Sequence, residues 1–318
     1  MTLELNTCLY EKVFFIRKVE ELIQAYYLED EMETPMHMSM GGEAISAGAC
    51  QALESHDQLL GTYRSHGIYL ARTMEAEKFF GELYGKTNGP SRGKAGSMHL
   101  MAIEQGLICT SAIVASNIPV AAGAAFALKK SGVNGVAAVF FGDGAIDEGA
   151  FWETLNTACL MKLPVMFVCE DNGYAVHNPA QARHGYDSIA EVAKGFKCDV
   201  YQSNSTDPEV IYTLIRSARV KTLESGRPAF LNLKYYRYLE HVGVFPDFKA
   251  GYRSEDEYRT WLDRDPVALQ RRKLVLMTSE ENVAGIEAAL SQKAMAGLAS
   301  ARVAPFPELK EICEGLIV

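Results

Sequence analysis

The sequence has no uninterrupted apolar run as long as a membrane-spanning helix, and it has no excess of basic residues. Its 318 residues include 31 Lys and Arg against 40 Asp and Glu, which gives a formal net charge of −9. Nonspecific nucleic-acid binding needs a basic surface, so this charge argues against that class. The first residues also lack the basic and apolar stretches of a signal peptide. We therefore expect a cytoplasmic protein that binds neither membrane nor nucleic acid.

The sequence also lacks the cysteine pattern of a disulfide-bonded or metal-binding protein. The seven cysteines form no C-x-x-C pair, and their number is odd. Several of them lie in apolar stretches, which indicates reduced thiols in the core of a cytosolic protein. Hydrophobic residues at 48% and charged residues at 22% are typical of a soluble globular enzyme.

What the sequence does contain is a β-α-β unit between residues 136 and 174. Two apolar runs, 136–141 and 164–169, show no alternation, as expected of strands buried on both faces. Between them, apolar residues over 149–162 have helical spacing. Two strands joined in this way should be parallel, with their carboxyl ends at one edge of the sheet. Ligands bind at that edge in open α/β sheets.

Polar residues follow both predicted strands. Gly142-Asp143-Gly144 comes directly after the first strand, and Asp171-Asn172 comes after the second. Asp143 and Asn172 should therefore face each other. A carboxylate and an amide oxygen suit Mg²⁺, which takes one or two protein carboxylates together with diphosphate oxygens and water.

Gly142-Asp143-Gly144 has two other interpretations besides a metal-diphosphate site. A dinucleotide-binding loop would need its third glycine at the position of Asp147, and an acidic residue there would repel a pyrophosphate. The residues therefore favour the metal-diphosphate site over the dinucleotide loop. By itself the tripeptide is also consistent with a plain turn between a strand and a helix.

The tripeptide and its asparagine resemble the thiamine-diphosphate motif, and further segments extend the resemblance. These segments are 62–67 (TYRSHG), 93–99 (GKAGSMH), 118–125 (IPVAAGAA) and 236–243 (YRYLEHVG). In this order they resemble the alpha subunit of the decarboxylating component of 2-oxo acid dehydrogenases, the pyruvate, branched-chain and acetoin type, over about residues 10–275. The chain departs from the motif at Asp171, where the family usually has Asn.

The resemblance implies a thiamine-diphosphate-binding fold with a set of site residues. The implied cofactor-binding residues are Tyr63, Arg64, Ala112, Val114, Asp143, Gly144, Ala145, Asn172 and His241. The implied ligands of Mg²⁺ are Asp143, Asn172 and a backbone carbonyl near Tyr174, and the implied catalytic residues are His37 and His241. Arg64 suits phosphate because a guanidinium binds it in bidentate fashion. The Gly144 and Ala145 amides are expected at the start of the following helix, where N–H groups favour phosphate oxygens.

The resemblance also implies partners and an activity. The glutamate that activates the pyrimidine of the cofactor belongs to a beta subunit in this family, so we expect an α2β2 heterotetramer. The implied activity is decarboxylation of a small 2-oxo acid with transfer of the acyl unit to a lipoyl-bearing acyltransferase. One alternative is a non-oxidative enzyme that transfers an acyl or two-carbon carbanion to an aldehyde, and another is a catalytically silent scaffold subunit. Leu239 to Gly243 depart from the His-Ser pattern of pyruvate complexes, which weakens an assignment to pyruvate.

The alternation of helices and strands predicts an α/β fold with a mostly parallel sheet covered by helices on both faces. We expect residues 1–318 to form a single thiamine-diphosphate domain with an N-terminal helix over 6–28 and helices at the C-terminus. Residues 85–111 are rich in glycine and are predicted to be one long loop. His56 and His184 are expected on the solvated surface, and the roles of His66, His99 and His177 stay open.

Overall fold

The computed structural model describes residues 2–314, so residue 1 and residues 315–318 of the predicted domain lie outside this range. The helices are α1 (Leu3–Tyr26), α2 (Glu43–Ala52), α3 (His66–Thr73), α4 (Ala76–Leu83), α5 (Asn117–Lys130), α6 (Gly149–Met161), α7 (Ile189–Ala193), α8 (Pro208–Ser225), α9 (Glu255–Leu262), α10 (Pro266–Met277) and α11 (Glu280–Val303). The strands are β1 (Gln58–Thr62), β2 (Leu107–Ser111), β3 (Ala137–Gly142), β4 (Val165–Asp171), β5 (Tyr174–Ala175), β6 (Asn178–Pro179), β7 (Asp199–Ser203) and β8 (Ala229–Lys234).

Six of the strands form one parallel sheet in the order β2-β1-β3-β4-β8-β7. The predicted β-α-β unit lies at its centre, where β3 pairs with β4 and Gly142 is opposite Glu170. Asp143, which follows β3, and Asp171, the last residue of β4, therefore lie at the same edge of the sheet. The short strands β5 and β6 form a separate antiparallel hairpin just beyond β4. The α/β prediction is confirmed.

Helices cover both faces of the sheet, which explains why its central strands read as continuous apolar runs. Successive side chains of β3 enter opposite cores: Ala138 and Phe140 pack on one face, and Val139 and Phe141 pack on the other. Helices α1 to α4, α8 and α11 supply the first core, and α5, α6 and α7 supply the second. Since α1 and α11 share one core, the two ends of the described chain pack against the same face of the sheet.

The prediction of one long loop over 85–111 is wrong at its end, because residues 107–111 form β2. This strand lies at an edge of the six-stranded sheet, where its neighbour is β1. It is five residues long and ends in Thr110 and Ser111, so it lacks the apolar run that identifies a central strand. Helix α3, which begins at His66 within the TYRSHG segment, and the next helix, α4, were also not predicted.

The remaining part of this glycine-rich segment is organised by a buried carboxylate, Glu82 of α4. Its Oε2 accepts hydrogen bonds from the backbone N–H groups of Ser91 at 2.8 Å and Gly93 at 3.2 Å. Its Oε1 accepts from the N–H groups of Ala95 at 2.7 Å and Gly96 at 3.2 Å. Gly93 has a φ of +75°, and a Cβ there would lie 2.2 Å from the carbonyl carbon of a neighbouring loop residue. The Glu82 side chain therefore fixes the backbone conformation of residues 91–96.

The six cysteines whose side chains are described, at 8, 50, 109, 159, 169 and 198, are free thiols. This agrees with the expectation of reduced core thiols, and the side chain of Cys313 lies outside the described part. Among residues 2–314, none of the helices has both the length and the apolar character that a bilayer crossing requires.

Glu82→Gln should destabilise the protein by about 3 kcal/mol, because an amide would direct N–H donors at backbone N–H groups in a buried network. Urea unfolding measures the loss, and limited proteolysis should then cut within 89–96. Lys78→Ala on the exposed side of the same helix is the control and should change little. If Glu82→Gln unfolded like the control variant, the loop would not depend on this carboxylate.

Candidate active site

A cavity of about 250 Å³ opens at the carboxyl edge of β1, β3 and β4. Its lining combines backbone of the strand ends with polar and aromatic side chains. The lining residues are Thr62, Tyr63, Arg64, Val114, Gly142, Gly144, Asp147, Glu148, Glu170, Asn172, Tyr174, Ala175, Val176, Tyr235 and His241. The cavity therefore lies where parallel α/β sheets bind ligands.

Asp143 is fully buried and does not itself line this cavity, but it lies between two lining residues, Gly142 and Gly144. Its Oδ2 forms an ion pair with Arg183, whereas its Oδ1 has no hydrogen-bond partner. Burial and the charge of Asp171 raise the pKa of Asp143 to about 6, against the opposing effect of Arg183. An unpartnered buried carboxylate oxygen is costly, so Asp143 is well suited to bind a cation.

Asn172, the residue after β4, lines the cavity. Its Oδ1 accepts a hydrogen bond from the backbone N–H of Tyr174 at 3.2 Å, and its Nδ2 donates to the hydroxyl of Tyr235 at 3.3 Å. These two contacts fix the amide plane. The structure thus brings Asp143 and Asn172 to one edge, as the sequence predicts.

Asp171, which replaces the usual Asn of the motif, is turned into the protein. Its Oδ1 accepts a hydrogen bond from the N–H of Gly173 at 3.0 Å, and its Oδ2 accepts one from Asn232 Nδ2 at 3.1 Å. Its backbone carbonyl accepts from the N–H of Tyr235 at 3.0 Å. Asp171 therefore shapes the turn that carries Asn172 and Tyr174, and it is not among the residues that line the cavity.

Arg64 extends across the cavity wall and is 9% exposed. Its Nη1 donates to the carbonyl of Met38 at 2.9 Å. Its Nη2 donates to the carbonyl of His241 at 2.9 Å and contacts the ring Nδ1 of the same residue at 3.2 Å. The guanidinium therefore holds the His241 loop in place.

The two histidines implied as catalytic lie together. The rings of His37 and His241 are 5.4 Å apart, and Tyr63 contacts both, at 4.4 Å and 5.7 Å. Burial and the nearby charge of Arg64 lower the pKa of each histidine to about 3. Both imidazoles are therefore neutral near pH 7.

Most of the predicted cofactor-binding residues line the cavity, but four of the predicted site residues do not. Ala112, Asp143 and Ala145 are absent from the lining, and His37 lies behind Tyr63 and His241. The expectation that Gly144 and Ala145 begin the following helix is wrong, because Asp143–Asp147 form a separate 3-10 helix before α6. A carbonyl-to-amide contact from Ala145 to Glu148 closes this turn.

Sequence reasoning missed the acid Glu170, the last residue but one of β4. It lines the cavity, and burial raises the pKa of Glu170 to about 8 against the opposing effect of Arg64. A carboxylate inside an otherwise apolar strand, two positions before Asn172, was the available indication.

Sequence reasoning also missed Arg183, which contacts both Asp143 and Asp147. The placement of His184 on the solvated surface is wrong, since only 7% of its side chain is exposed. Its Nε2 lies 2.9 Å from Asp147 Oδ1, and its ring stacks on Tyr186 at 4.7 Å. His66, left open above, is buried between Glu20 and Ser97, with ring-nitrogen contacts of 3.0 Å and 2.6 Å.

The fold and the cavity define a class of protein: a parallel α/β protein with a polar ligand site at its strand ends, lined by the acidic residues Asp147, Glu148 and Glu170. Comparison with known proteins gives the family, because residues 11–310 match the model of the dehydrogenase E1 component. The chain belongs to this family, so the family prediction is confirmed.

Curated relatives carry the names of alpha subunits. The chain is 28% identical to the alpha subunit of acetoin:2,6-dichlorophenolindophenol oxidoreductase of Bacillus subtilis, over 100% of this chain and 95% of the relative. It is 31% identical to the pyruvate dehydrogenase E1 alpha subunit of Porphyra purpurea, over 96% and 90%. It is 32% identical to the mitochondrial 2-oxoisovalerate dehydrogenase alpha subunit of Caenorhabditis elegans, over 74% and 54%.

The pKa of His37 predicts how acid affects stability. A folded-state pKa near 3, below the ordinary 6.5, means that stability is complete above about pH 6.5 and is lost as the pH falls towards 3. His37→Asn removes this loss. Between pH 7 and pH 4.5 its free energy of unfolding should therefore gain about 2 kcal/mol relative to the native chain. The measurement is urea unfolding at several pH values, with exposed His56→Asn as control. Parallel curves for the native chain and His37→Asn would show that His37 titrates normally.

Proposed function

We propose that this chain is the alpha subunit of a thiamine-diphosphate-dependent 2-oxo acid dehydrogenase and that it holds the Mg²⁺-diphosphate end of the cofactor. The observation that carries the proposal is the buried, unpartnered Oδ1 of Asp143, which lies between Gly142 and Gly144 at the wall of a cavity that Asn172 also lines. Membership of the dehydrogenase E1 component family supports it.

The donor set fits Mg²⁺. Asp143 supplies one carboxylate oxygen, Asn172 an amide oxygen and Tyr174 a backbone carbonyl, which leaves the remaining positions to diphosphate oxygens and water. Asp171 adds negative charge nearby without offering its oxygens, because both accept hydrogen bonds inside the protein. A site with one liganding carboxylate and one neighbouring carboxylate attracts a divalent cation and still admits an anionic diphosphate.

The diphosphate would lie against Arg64, Tyr63 and the backbone of Gly144. A side chain at Gly144 would narrow this space, since a Cβ there would be 2.9 Å from the Cβ of Ala175. Ala112 and Val114, at and just beyond the end of β2, are proposed to contact the pyrimidine. Bound thiamine diphosphate supplies a nucleophilic carbon for the substrate carbonyl and stabilises the negative charge left by decarboxylation.

His241 is proposed to act on the substrate side as a neutral hydrogen-bond donor. Arg64 Nη2 contacts its Nδ1 at 3.2 Å, and a guanidinium has only donors. Nδ1 must therefore be the acceptor, and the single ring proton lies on Nε2. The low pKa of His241 keeps the ring in this form near neutral pH. His37, which packs against it, is proposed to hold the ring and to contribute a second neutral imidazole.

A beta subunit is proposed to complete the site in an α2β2 heterotetramer. Apolar side chains exposed along and near the cavity mouth support a covering partner; they are Ile113, Val114, Val176, Val242 and Phe245. A lipoyl-bearing acyltransferase is proposed as the acceptor of the acyl unit. Residues 1–318 are proposed to form one domain, because α1 and α11 share a core, and the free thiols support a cytoplasmic location.

The chain without its partner should show no turnover, because the acid that activates the pyrimidine is proposed to lie on the beta subunit. The purified chain is incubated with thiamine diphosphate, Mg²⁺ and a panel of linear and branched 2-oxo acids, and carbon dioxide release is measured. Activity should appear when the co-purified partner is added. Decarboxylation by the chain alone at about 1 s⁻¹ or faster would contradict the shared site.

Asp143→Ala should weaken thiamine diphosphate binding at least about 100-fold in the complex with its partner, because a metal ligand is lost. Calorimetry with Mg²⁺ present measures the affinity, and circular dichroism verifies the fold. Asp187→Ala, in an exposed position of the nearby loop, is the control and should bind normally. Unchanged affinity in Asp143→Ala would refute the metal assignment.

A further inference from the structure

Arg183 lies in the loop after the β5–β6 hairpin and contacts both ends of the Asp143–Asp147 segment. Its Nη2 donates to Asp143 Oδ2, and its Nη1 donates to Asp147 Oδ2. Its Nε donates to the carbonyl of Asn178 at 3.3 Å, so the head group is held on three sides. Only 10% of the side chain is exposed. The guanidinium therefore has one defined position, between Asp143 and Asp147.

Because of this position, the two carboxylate oxygens of Asp143 have different environments. Oδ2 is occupied by Arg183, and Oδ1 is buried without a partner. A cation that binds Asp143 therefore meets one carboxylate oxygen and cannot readily be chelated by both. Ligation through a single oxygen suits Mg²⁺, which demands near-ideal octahedral geometry. Ca²⁺ takes six to eight oxygens and readily accepts a bidentate carboxylate.

We propose that Arg183 is a positioning residue that makes the metal site selective for Mg²⁺ over Ca²⁺, by holding Asp143 to a single liganding oxygen. The inference rests on the proposed metal site and adds to it a residue and a specificity. Arg183 is not itself a ligand, since a guanidinium has no lone pair to donate.

The ratio of the two metal affinities separates this role from two simpler ones. If Arg183 were only a brace for the loop, its loss would weaken Mg²⁺ and Ca²⁺ binding by the same factor. If it only offset the charge of Asp143, Asp147 and Asp171, its loss would strengthen both equally, because both ions carry two charges. Only a change in the denticity of Asp143 alters the ratio.

The test uses the complex with its partner, depleted of metal and mixed with an excess of thiamine diphosphate. Mg²⁺ and Ca²⁺ are titrated separately by calorimetry into the native complex, Arg183→Gln and Arg183→Lys. Arg216→Gln is the matched control, because it removes the same charge from an exposed position on α8. Fluorescence of Trp152 gives a second reading, since its Nε1 donates to the carbonyl of Ile146 at 2.9 Å inside the Asp143–Asp147 segment.

In Arg183→Gln the preference for Mg²⁺ over Ca²⁺ should fall by about tenfold or more, which is the usual size of an effect on a metal from a residue that orients its ligand. Arg183→Lys should recover part of the preference, because an ammonium can still occupy Oδ2 but cannot bridge to Asp147. Arg216→Gln should match the native complex.

An unchanged ratio in Arg183→Gln, whether both affinities rise or fall, would overturn the proposal. The native complex tests the proposed function separately. Thiamine diphosphate binding that needs no divalent cation there would remove the metal site itself. If thiamine diphosphate binding depends on the metal but the ratio of Mg²⁺ to Ca²⁺ affinity is the same in Arg183→Gln, only the role of Arg183 would be refuted.

Discussion

The parallel register between β3 and β4, in which Gly142 pairs with Glu170, determines where the polar residues of the site lie. Both strands are buried on both faces, so a shift by one residue would move large apolar side chains out of their cores. The packing of Phe140 and Phe141 into opposite cores therefore also fixes the position of Asp143. The packing of the hydrophobic interior, rather than contacts within the site, therefore fixes where the site residues lie.

Acidic side chains lie close together at the carboxyl edge of β3 and β4. Their burial is unfavourable unless positive charges lie nearby. Burial raises the pKa of Asp143 to about 6 and that of Glu170 to about 8. Two arginines from outside the β3–β4 unit offset this: Arg183 pairs with Asp143, and Arg64 opposes the shift at Glu170. A divalent cation at Asp143 Oδ1 would complete the balance, so loading of the site and stability of this edge are coupled.

The sequence was most informative where a local pattern reports a buried element. The runs over 136–141 and 164–169 predicted β3, β4 and the meeting of Asp143 with Asn172, and ordered motifs predicted the family. The sequence was least informative where contacts between residues far apart in the chain determine the structure. β2 is a short edge strand without an apolar run, and Arg183 reaches Asp143 across 40 residues of chain. His184 is covered by Tyr186 and Asp147, which no spacing near it indicates.

The central claim is that Asp143 and Asn172 hold the metal of a bound diphosphate. A crystal structure of the complex with its partner, grown with thiamine diphosphate and Mn²⁺ in place of Mg²⁺, tests it most directly through the anomalous scattering of manganese. The account predicts one anomalous peak within ligand distance, about 2.2 Å, of Asp143 Oδ1 and the Asn172 side-chain oxygen, with the diphosphate on its far side. A diphosphate bound elsewhere, or a metal that contacts neither residue, would contradict it.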